Sequence, residues 1–482
     1  MYLQQILNGV AYQKVGEGNF DITSLACDTS EVRSGCLFFC LKGSRRDGHD
    51  FFRKVIGDGA VALVTERKLD TEALQFVVSD VRAAMAICAR NFYENACDKM
   101  KLIYVVGTNG KTSTTYLLDA IFRNAGYNTG VIGTNGVFFA GKKHASRLTT
   151  PDPIELHEWL KQMYLNKVRY VFIETSAHAI ALKKLDGMCA DVCVFTNFSR
   201  DHLDYFGTMD NYKRVKLSLF CPQYVNNAVV NIDDHVGKEI LSQVPSVTYS
   251  TENDCADVSA SEICVTEDGT TFVVECFGKK AVVHLSLCGR FNVYNALGAL
   301  AVASICGIDL GVAVSALECV DHIDGRNETI SSADGKRIVV DFAHTPDGIT
   351  NILSHLRQTT IGKLIVVFGC GGNRDKLKRP LMAQAVSNYA DFVLLTNDNP
   401  RFEDPSEIAA DAIGGLTCPY KVVLNRLAAT RLALDSANSG DTVAILGKGA
   451  ECYQETRGRK VPYSDCETVR RILAEKENNI PQ

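Results

Sequence analysis

The chain of 482 residues is too long for one hydrophobic core, and roughly three domains is the length-based expectation. Its 46% hydrophobic and 22% charged residues, with a formal net charge of -5, describe an ordinary soluble protein with no whole-chain basic field to attract nucleic acid. No run approaches the roughly 18 apolar residues of a membrane span, and the start, "MYLQQILNGVAYQK", lacks a basic head followed by an apolar signal core, so a cytoplasmic location is the expectation.

In chain order, the first block carries "GCLFFCLKG", "AVALVTER" and "LQFVVSD", which read as short buried strands, then a helical "RAAMAICARNFYENA" and a boundary near residue 98. The second block, 99–324, repeats an apolar strand followed by a polar or glycine-rich turn: "VVGTNGKT", "GVIGTNG", "VFIETSAH", "VFTNFSRDH" and "VVNIDD". The third, 325–482, does the same with "IVVFGCGGNR", "FVLLTNDNPR" and "VAILGKGAE", separated by helical patterns such as "RLAATRLALDSA". Strands alternating with helices predict an α/β protein with parallel sheets, whose ligands collect at the carboxyl ends of the strands. The 18 cysteines include no C-x-x-C pair; Cys36 with Cys40, and Cys189 with Cys193, lie in apolar runs without a neighbouring histidine, where cysteine acts as a small hydrophobe.

"VVGTNGKTSTTY" is the most informative stretch. A turn built on Gly107, Thr108, Asn109 and Gly110 between strand and helix lets backbone N–H groups approach phosphate oxygens, and the helix N-terminus, with Ser113 in its first turn, favours negative charge. Lys111 can reach outer phosphates and Thr112 can bind Mg²⁺. Position 105 is valine, so the first glycine of the common G-x-x-x-x-G-K-[ST] loop is missing. The plainer alternative is a strand-to-helix turn with a surface lysine.

The short glycine spacing resembles the Mur ligases and their relatives, folylpolyglutamate synthetases included. The resemblance continues in order through "LTTPDP", "ETSAHAI", "TNFSRDHLDYFG", "YKRVKLSLF", "GRFNVYNALGA", "DGRNE" and "DFAHTPD". The N-terminal "DTSEVRSGCLFFCLKGSRRDGHDFF" is similar to the uridine-nucleotide domain of the branch that adds the third amino acid to the peptidoglycan stem peptide. It implies three domains: a UDP-muramoyl-substrate domain (1–98), a central P-loop ATPase domain (99–324) and a Rossmann-like amino-acid-binding domain (325–482). It also implies a monomer whose partners are small molecules: ATP, a UDP-muramoyl-dipeptide and a diamino acid.

A carboxylate is a poor acyl donor, so it is first phosphorylated by ATP, and an amine then displaces phosphate; gathering several negative oxygens calls for metal ions and cationic groups. The resemblance makes Lys111, Glu174, His202 and Lys216 the catalytic set, with Thr112 on one Mg²⁺ and Glu174, His202 and Lys216 on a second. Singly, a carboxylate after a strand is more often a surface group, and one histidine more often a satisfied hydrogen-bonding residue. On a helix Lys216 shares a face with Tyr212 and Phe220, and periodicity alone favours a snorkelling side chain with its charge in water. The resemblance implies instead an N6-carboxylysine. It also puts Asn292 and Asn295 at the nucleotide's base region, and Arg326 and Asp341 at phosphate and ribose.

Thr29, Ser30, Thr149, Thr150, Ser176 and Lys184 match the family's sugar-nucleotide contacts, with departures. Thr29 and Ser30 stand where Ser-Arg is frequent, Ala177 replaces a second serine, and Lys184 replaces a forked arginine. Phe342 replaces a common tyrosine and Ala450 a common histidine. In the third block, the strand-end rule converges "GGNR" (Arg374), "NDNPR" (Asn399, Pro400, Arg401) and "GKGAE" (Gly447, Glu451). Arginine suits a carboxylate and glutamate an ammonium, so the ligand carries both charges at its far end. Meso-diaminopimelate does, whereas lysine has only the amine, and the resemblance agrees through D-N-P-R. L-Lysine use is the alternative, followed by a folylpolyglutamate-type ligase or a non-catalytic nucleotide-binding relative.

Overall fold

The computed structural model describes residues 1–43 and 46–477. Residues 44 and 45, inside the N-terminal motif quoted above, and 478–482, at the end of the third block, lie outside the described residues. The described strands form three large sheets and one two-stranded ribbon.

The first sheet has the order Gln13–Val15, Leu74–Val77, Ala60–Thr65, Cys36–Phe39, Ser24–Ala26, parallel except at its first pair. Asp80 accepts from the N–H groups of Arg82 and Ala83 and so caps helix Val81–Phe92, whose Val81, Met85, Cys88 and Ala89 pack on Leu37, Phe39, Ala62 and Val64.

The second sheet has 11 strands around a parallel heart ordered Ser246–Ser250, Val225–Asn231, Ala190–Phe195, Lys101–Val106, Tyr170–Thr175, Thr129–Gly133. Helices Lys111–Asn124 and Arg290–Ile305 bury one face and Pro153–Leu165 the other, so these strands are apolar along most of their length. Sequence patterning missed the antiparallel extensions: Thr270–Cys276 and Lys279–Leu285 beyond one edge, and Gly136–Phe139 with Lys142–His144 beyond the other. Thr270–Cys276 alternates buried with half-buried residues, a one-sided burial that leaves no continuous apolar run to notice.

The third sheet runs Glu328–Ser331, Arg337–Asp341, Thr442–Leu446, Leu364–Cys370, Phe392–Asn397, Tyr420–Val422. In the second sheet Glu174 pairs with Val105, and Val105 with Val194, so three loops leave one edge at the same level. In the third, Asp341 pairs with Leu446 and Cys370 with Asn397. Polar contacts join the two edges: Arg200 to Asp375 at 3.0 Å, Lys378 to Asp201 at 2.8 Å and Asn109 Nδ2 to Asp347 Oδ2 at 2.8 Å.

Candidate active site

Val105 is a wholly buried strand residue, so the loop opens only at Gly107, which accounts for the short glycine spacing. A Cβ on Gly107 would stand 1.8 Å from Thr196 Oγ1. Gly110, the residue before helix Lys111–Asn124, has φ 86°, and a Cβ there would stand 2.5 Å from Asn295 Oδ1. Thr196 and Asn197, which sequence reading had not singled out, strap the loop to the next strand: Thr196 Oγ1 donates to Asn109 O at 2.6 Å, and Asn109 N donates to Asn197 Oδ1 at 2.9 Å. Thr108 and Ser113 are buried in the loop and first turn. Lys111 Nζ donates to Gly107 O at 3.1 Å and Thr108 O at 2.8 Å, and burial draws its ammonium below the usual lysine range against Glu174 and Asp201.

Glu174 is 1% exposed and held by three donors. Thr112 Oγ1 and Thr134 Oγ1 each reach Oε2 at 3.0 Å, and Thr134 N reaches Oε1 at 3.0 Å. Arg326 Nη2 bonds Thr112 Oγ1 at 2.8 Å, so a cation already lies beside this hydroxyl and carboxylate. Hard oxygen donors in a field that gathers cations fit Mg²⁺. No three His, Cys, Asp or Glu side chains cluster for a metal among the described residues, so a second ion beside Glu174 and His202 would need a modified Lys216 to complete its ligand set.

His202 has φ 55° and its ring lies 4.7 Å from that of His178. Burial lowers it to about 3, opposed by Asp201, which leaves a neutral imidazole with a lone pair to offer. Burial pushes Asp201 up, but Lys378, then His202 and His344, hold it far below the usual carboxylate range. Neither Asp201 nor Lys378 had been picked out, because their pairing crosses 177 residues of sequence.

Lys216 does not snorkel: it is 1% exposed, its Nζ lies 4.8 Å from the Tyr212 ring centroid, and burial, with Lys111, takes it well below the usual lysine range. The helix ends at Leu217, so Phe220 does not share its face as periodicity had suggested. Burial thus favours the uncharged form of this amine.

Beside Gly110, Asn295 Nδ2 donates to Asn292 Oδ1 at 3.1 Å, and Asn292 Nδ2 to Cys288 O at 3.0 Å. Asn327, also unforeseen, donates to the same carbonyl at 3.0 Å, and its backbone N–H donates to Asp341 Oδ2 at 2.7 Å. A polar chain thus links the phosphate loop to Asp341, whose carboxyl burial raises against Arg326. The Arg326 guanidinium lies 4.4 Å from the Phe342 ring centroid.

Thr149, Thr150, Ser176 and Lys184 gather on the other side of Glu174. Thr149 Oγ1 lies 3.1 Å from Thr134 Oγ1, Thr150 Oγ1 donates to Glu174 O at 2.7 Å, and Ser176 N donates to Thr150 Oγ1 at 3.1 Å. Lys184 is buried and already engaged, with Asp152 at 2.9 Å and Thr150 O at 3.0 Å. Thr29 and Ser30 lie in a turn closed by Asp28, whose Oδ1 accepts from Ser30 N at 2.8 Å, and Glu31 approaches Arg147 of the neighbouring loop at 3.7 Å.

At the third sheet's edge Asn399 Nδ2 donates to Glu451 Oε2 at 2.9 Å. Arg401, at φ 53° after Pro400, donates from Nη1 to Gly372 O at 2.8 Å and reaches Glu455 at 3.5 Å. Its neighbours Glu403 and Asp404 are engaged elsewhere, the first with Arg379 at 2.9 Å and the second as a helix cap. Gly447 has φ 112° and lies against Asp398. Arg374 rises beside Arg401, since a Cβ on Gly371 would stand 3.1 Å from Arg401 Nη1 and 3.5 Å from Arg374 Cγ, and its guanidinium reaches to 3.8 Å from Asp204.

An α/β fold with a phosphate loop facing a second, largely parallel sheet is the architecture of a nucleotide-binding protein, and known proteins narrow it. Residues 105–303 match the Mur ligase middle domain, 325–449 the glutamate ligase domain of Mur ligases and 21–106 the Mur ligase family catalytic domain. The chain belongs to the Mur ligase family. It is 39% identical over 99% of its length to the whole of the UDP-N-acetylmuramoyl-L-alanyl-D-glutamate--2,6-diaminopimelate ligase of Caldanaerobacter subterraneus subsp. tengcongensis. It is 40% identical to the ligase of the same name from Bacillus velezensis, over 94% of this chain and 95% of that one. A solved structure of a ligase of that name superposes with a TM-score of 0.67 at 30% identity, covering 95% of each chain.

Proposed function

We propose that this chain is the ATP-dependent, ADP-forming ligase that joins meso-diaminopimelate to the D-glutamyl γ-carboxylate of UDP-N-acetylmuramoyl-L-alanyl-D-glutamate, a cytoplasmic step of peptidoglycan precursor synthesis. The observation that carries it is the meeting of two strand edges, with Thr112, Glu174 and Arg326 in contact on one side and Asn399, Arg401 and Glu451 on the other. Full-length relatives at 39–40% identity bear that ligase's name.

In this reading the loop N–H groups and Lys111 hold the ATP phosphates, and Arg326 neutralises charge that develops as the γ-phosphoryl moves to the substrate carboxylate. Thr112 would hold one Mg²⁺, and Glu174, His202 and carboxylated Lys216 a second, which would supply charge neutralisation to the phosphate oxygens. Lys216, whose burial favours the uncharged amine, would add to CO₂ and lose one proton to give a carbamate. The asparagine chain and Asp341 bind adenosine, and Thr29, Ser30, Thr149, Thr150, Ser176 and Lys184 line the UDP-muramoyl side. Arg401 grips the distal carboxylate of diaminopimelate and Glu451 its ammonium. The ion pairs between central and C-terminal residues keep water from the acyl phosphate. The proposed domain limits remain 1–98, 99–324 and 325–482, and a monomer suffices.

The decisive experiment is phosphate release by the purified chain with each substrate omitted in turn. Release that needs both the UDP-muramoyl-dipeptide and a diamino acid supports the ligase; release independent of both sinks it. Charge balance at Arg401 favours diaminopimelate over L-lysine, and preference for L-lysine would leave only the ligase class standing.

A further inference from the structure

Lys448, between Gly447 and Gly449, has no part in the reading above. It is fully buried, and a long cationic side chain is seldom placed so unless it is paired. Its ammonium lies 2.7 Å from Glu451 Oε2 and 3.1 Å from Asn399 Oδ1. Asn399 Oδ1 also accepts from Glu455 N at 2.9 Å, while its Nδ2 donates to Glu451 Oε2 at 2.9 Å. The amide therefore has one permitted orientation, with its oxygen toward a cation and its nitrogen toward a carboxylate. Glu451 is tied through Oε2 to both partners, and its side chain is 22% exposed, so the part left open to a ligand is already oriented by Lys448.

Lys448 also fixes the charge of the subsite. Asp398, Glu451 and the ring of Tyr453, 5.7 Å from the ammonium, surround it, and Arg401 with Glu455 lies next along the same edge. A ligand ammonium at Glu451 would share that carboxylate with a second, fixed ammonium. A distal end that is ammonium alone meets this repulsion without relief, whereas one that also carries a carboxylate gains from the same positive charge. Whatever the sum of the other groups, removing one positive charge here must favour the more cationic ligand relative to the zwitterionic one.

We propose that Lys448 is a positioning and specificity-determining residue of the amino-acid subsite: it orients Glu451 and Asn399, and its buried charge selects a zwitterionic over a purely cationic distal end. This rests on the ligase reading given above. The test measures kcat/KM for meso-diaminopimelate and for L-lysine, and KM for ATP and the UDP-muramoyl-dipeptide, in the wild-type protein, Lys448→Met and Lys448→Gln, with ADP binding and thermal melting as checks of folding. Expected is a fall of about tenfold or more in the diaminopimelate-to-lysine ratio, from a unit charge about 5 Å away in a partly screened site, with the other two KM values moved less than about twofold. Gln keeps a hydrogen-bond donor without the charge, so it decides the matter if Met does not fold. A folded Gln variant that loses both diamino acids in parallel, or keeps the wild-type ratio, overturns the proposal. A wild-type protein that ligates neither diamino acid fails the ligase reading instead, and that arm is seen before any variant is made.

Discussion

Gly133→Ala should cripple turnover without unfolding the protein. An alanine Cβ there would stand 2.1 Å from Glu174 Oε1, 2.6 Å from its Cδ and 2.8 Å from its Cγ. The whole side chain, not only its far end, must therefore move, and Glu174 at 1% exposure has no open space to enter. Moving it breaks the bonds from Thr112 and Thr134, each a hydrogen bond to a charged group worth about 1.5–3 kcal/mol. If about 3–4 kcal/mol of that is lost from the charge-gathering site in the transition state, kcat falls about 10²–10³-fold. Steady-state phosphate release with all substrates saturating reads this directly, alongside thermal melting and ADP binding. Gly57→Ala is the control, since nothing lies within 4 Å of a Cβ at Gly57. A folded Gly133→Ala protein with kcat within about threefold of wild type would refute the geometry, because it would mean Glu174 need not stand where it does.

Lys111→Ala should abolish phosphate release while leaving UDP-muramoyl-dipeptide binding, followed by calorimetry, largely intact; substantial residual ligation would remove Lys111 from its role. Lys216→Ala should lose activity that short-chain carboxylic acids partly restore, and wild-type activity should depend on CO₂. Near-normal activity of that variant would argue against the carbamate. Arg401→Ala should raise KM for diaminopimelate about a hundredfold, the loss of a charge-assisted pair worth roughly 3 kcal/mol, in initial-rate assays. Acid should destabilise the fold through His157, which is 1% exposed and lowered to about 3 by burial and then Arg90, with Asp98 opposing. The unfolded chain binds this proton below about 6.5 and the folded chain does not, so stability is full above that pH and falls as acid is added, by about 2 kcal/mol at pH 5. His157→Leu should flatten this limb of a urea-midpoint-against-pH curve, and an unchanged slope would exclude His157 as its source.

Local sequence carried the elements whose chemistry is itself local. The loop from Gly107 to Thr112 was legible because its glycines, lysine and threonine act within one strand-to-helix turn, and the strand ends were legible because parallel strands buried on both faces are continuous apolar runs. Glu174 was nominated by the family resemblance, since position alone favoured a surface carboxylate, and Arg401 and Glu451 by the strand-end rule with complementary charge. The one-sided strands Thr270–Cys276 and Lys279–Leu285 were not, since their burial depends on which face the helices cover. Only tertiary structure could decide that Thr134 and Gly133 hold Glu174, that Asp201 meets Lys378, that Asn327 joins Asn292 at one carbonyl, or that Lys448 turns Glu451. It also decided that Lys216 is shut away from water, which periodicity alone had placed at the surface. The reason is the range of the forces: turn geometry and helix or strand period are set by neighbours within a few residues, whereas burial and charge pairing are set by whichever distant segments the packed sheets bring together.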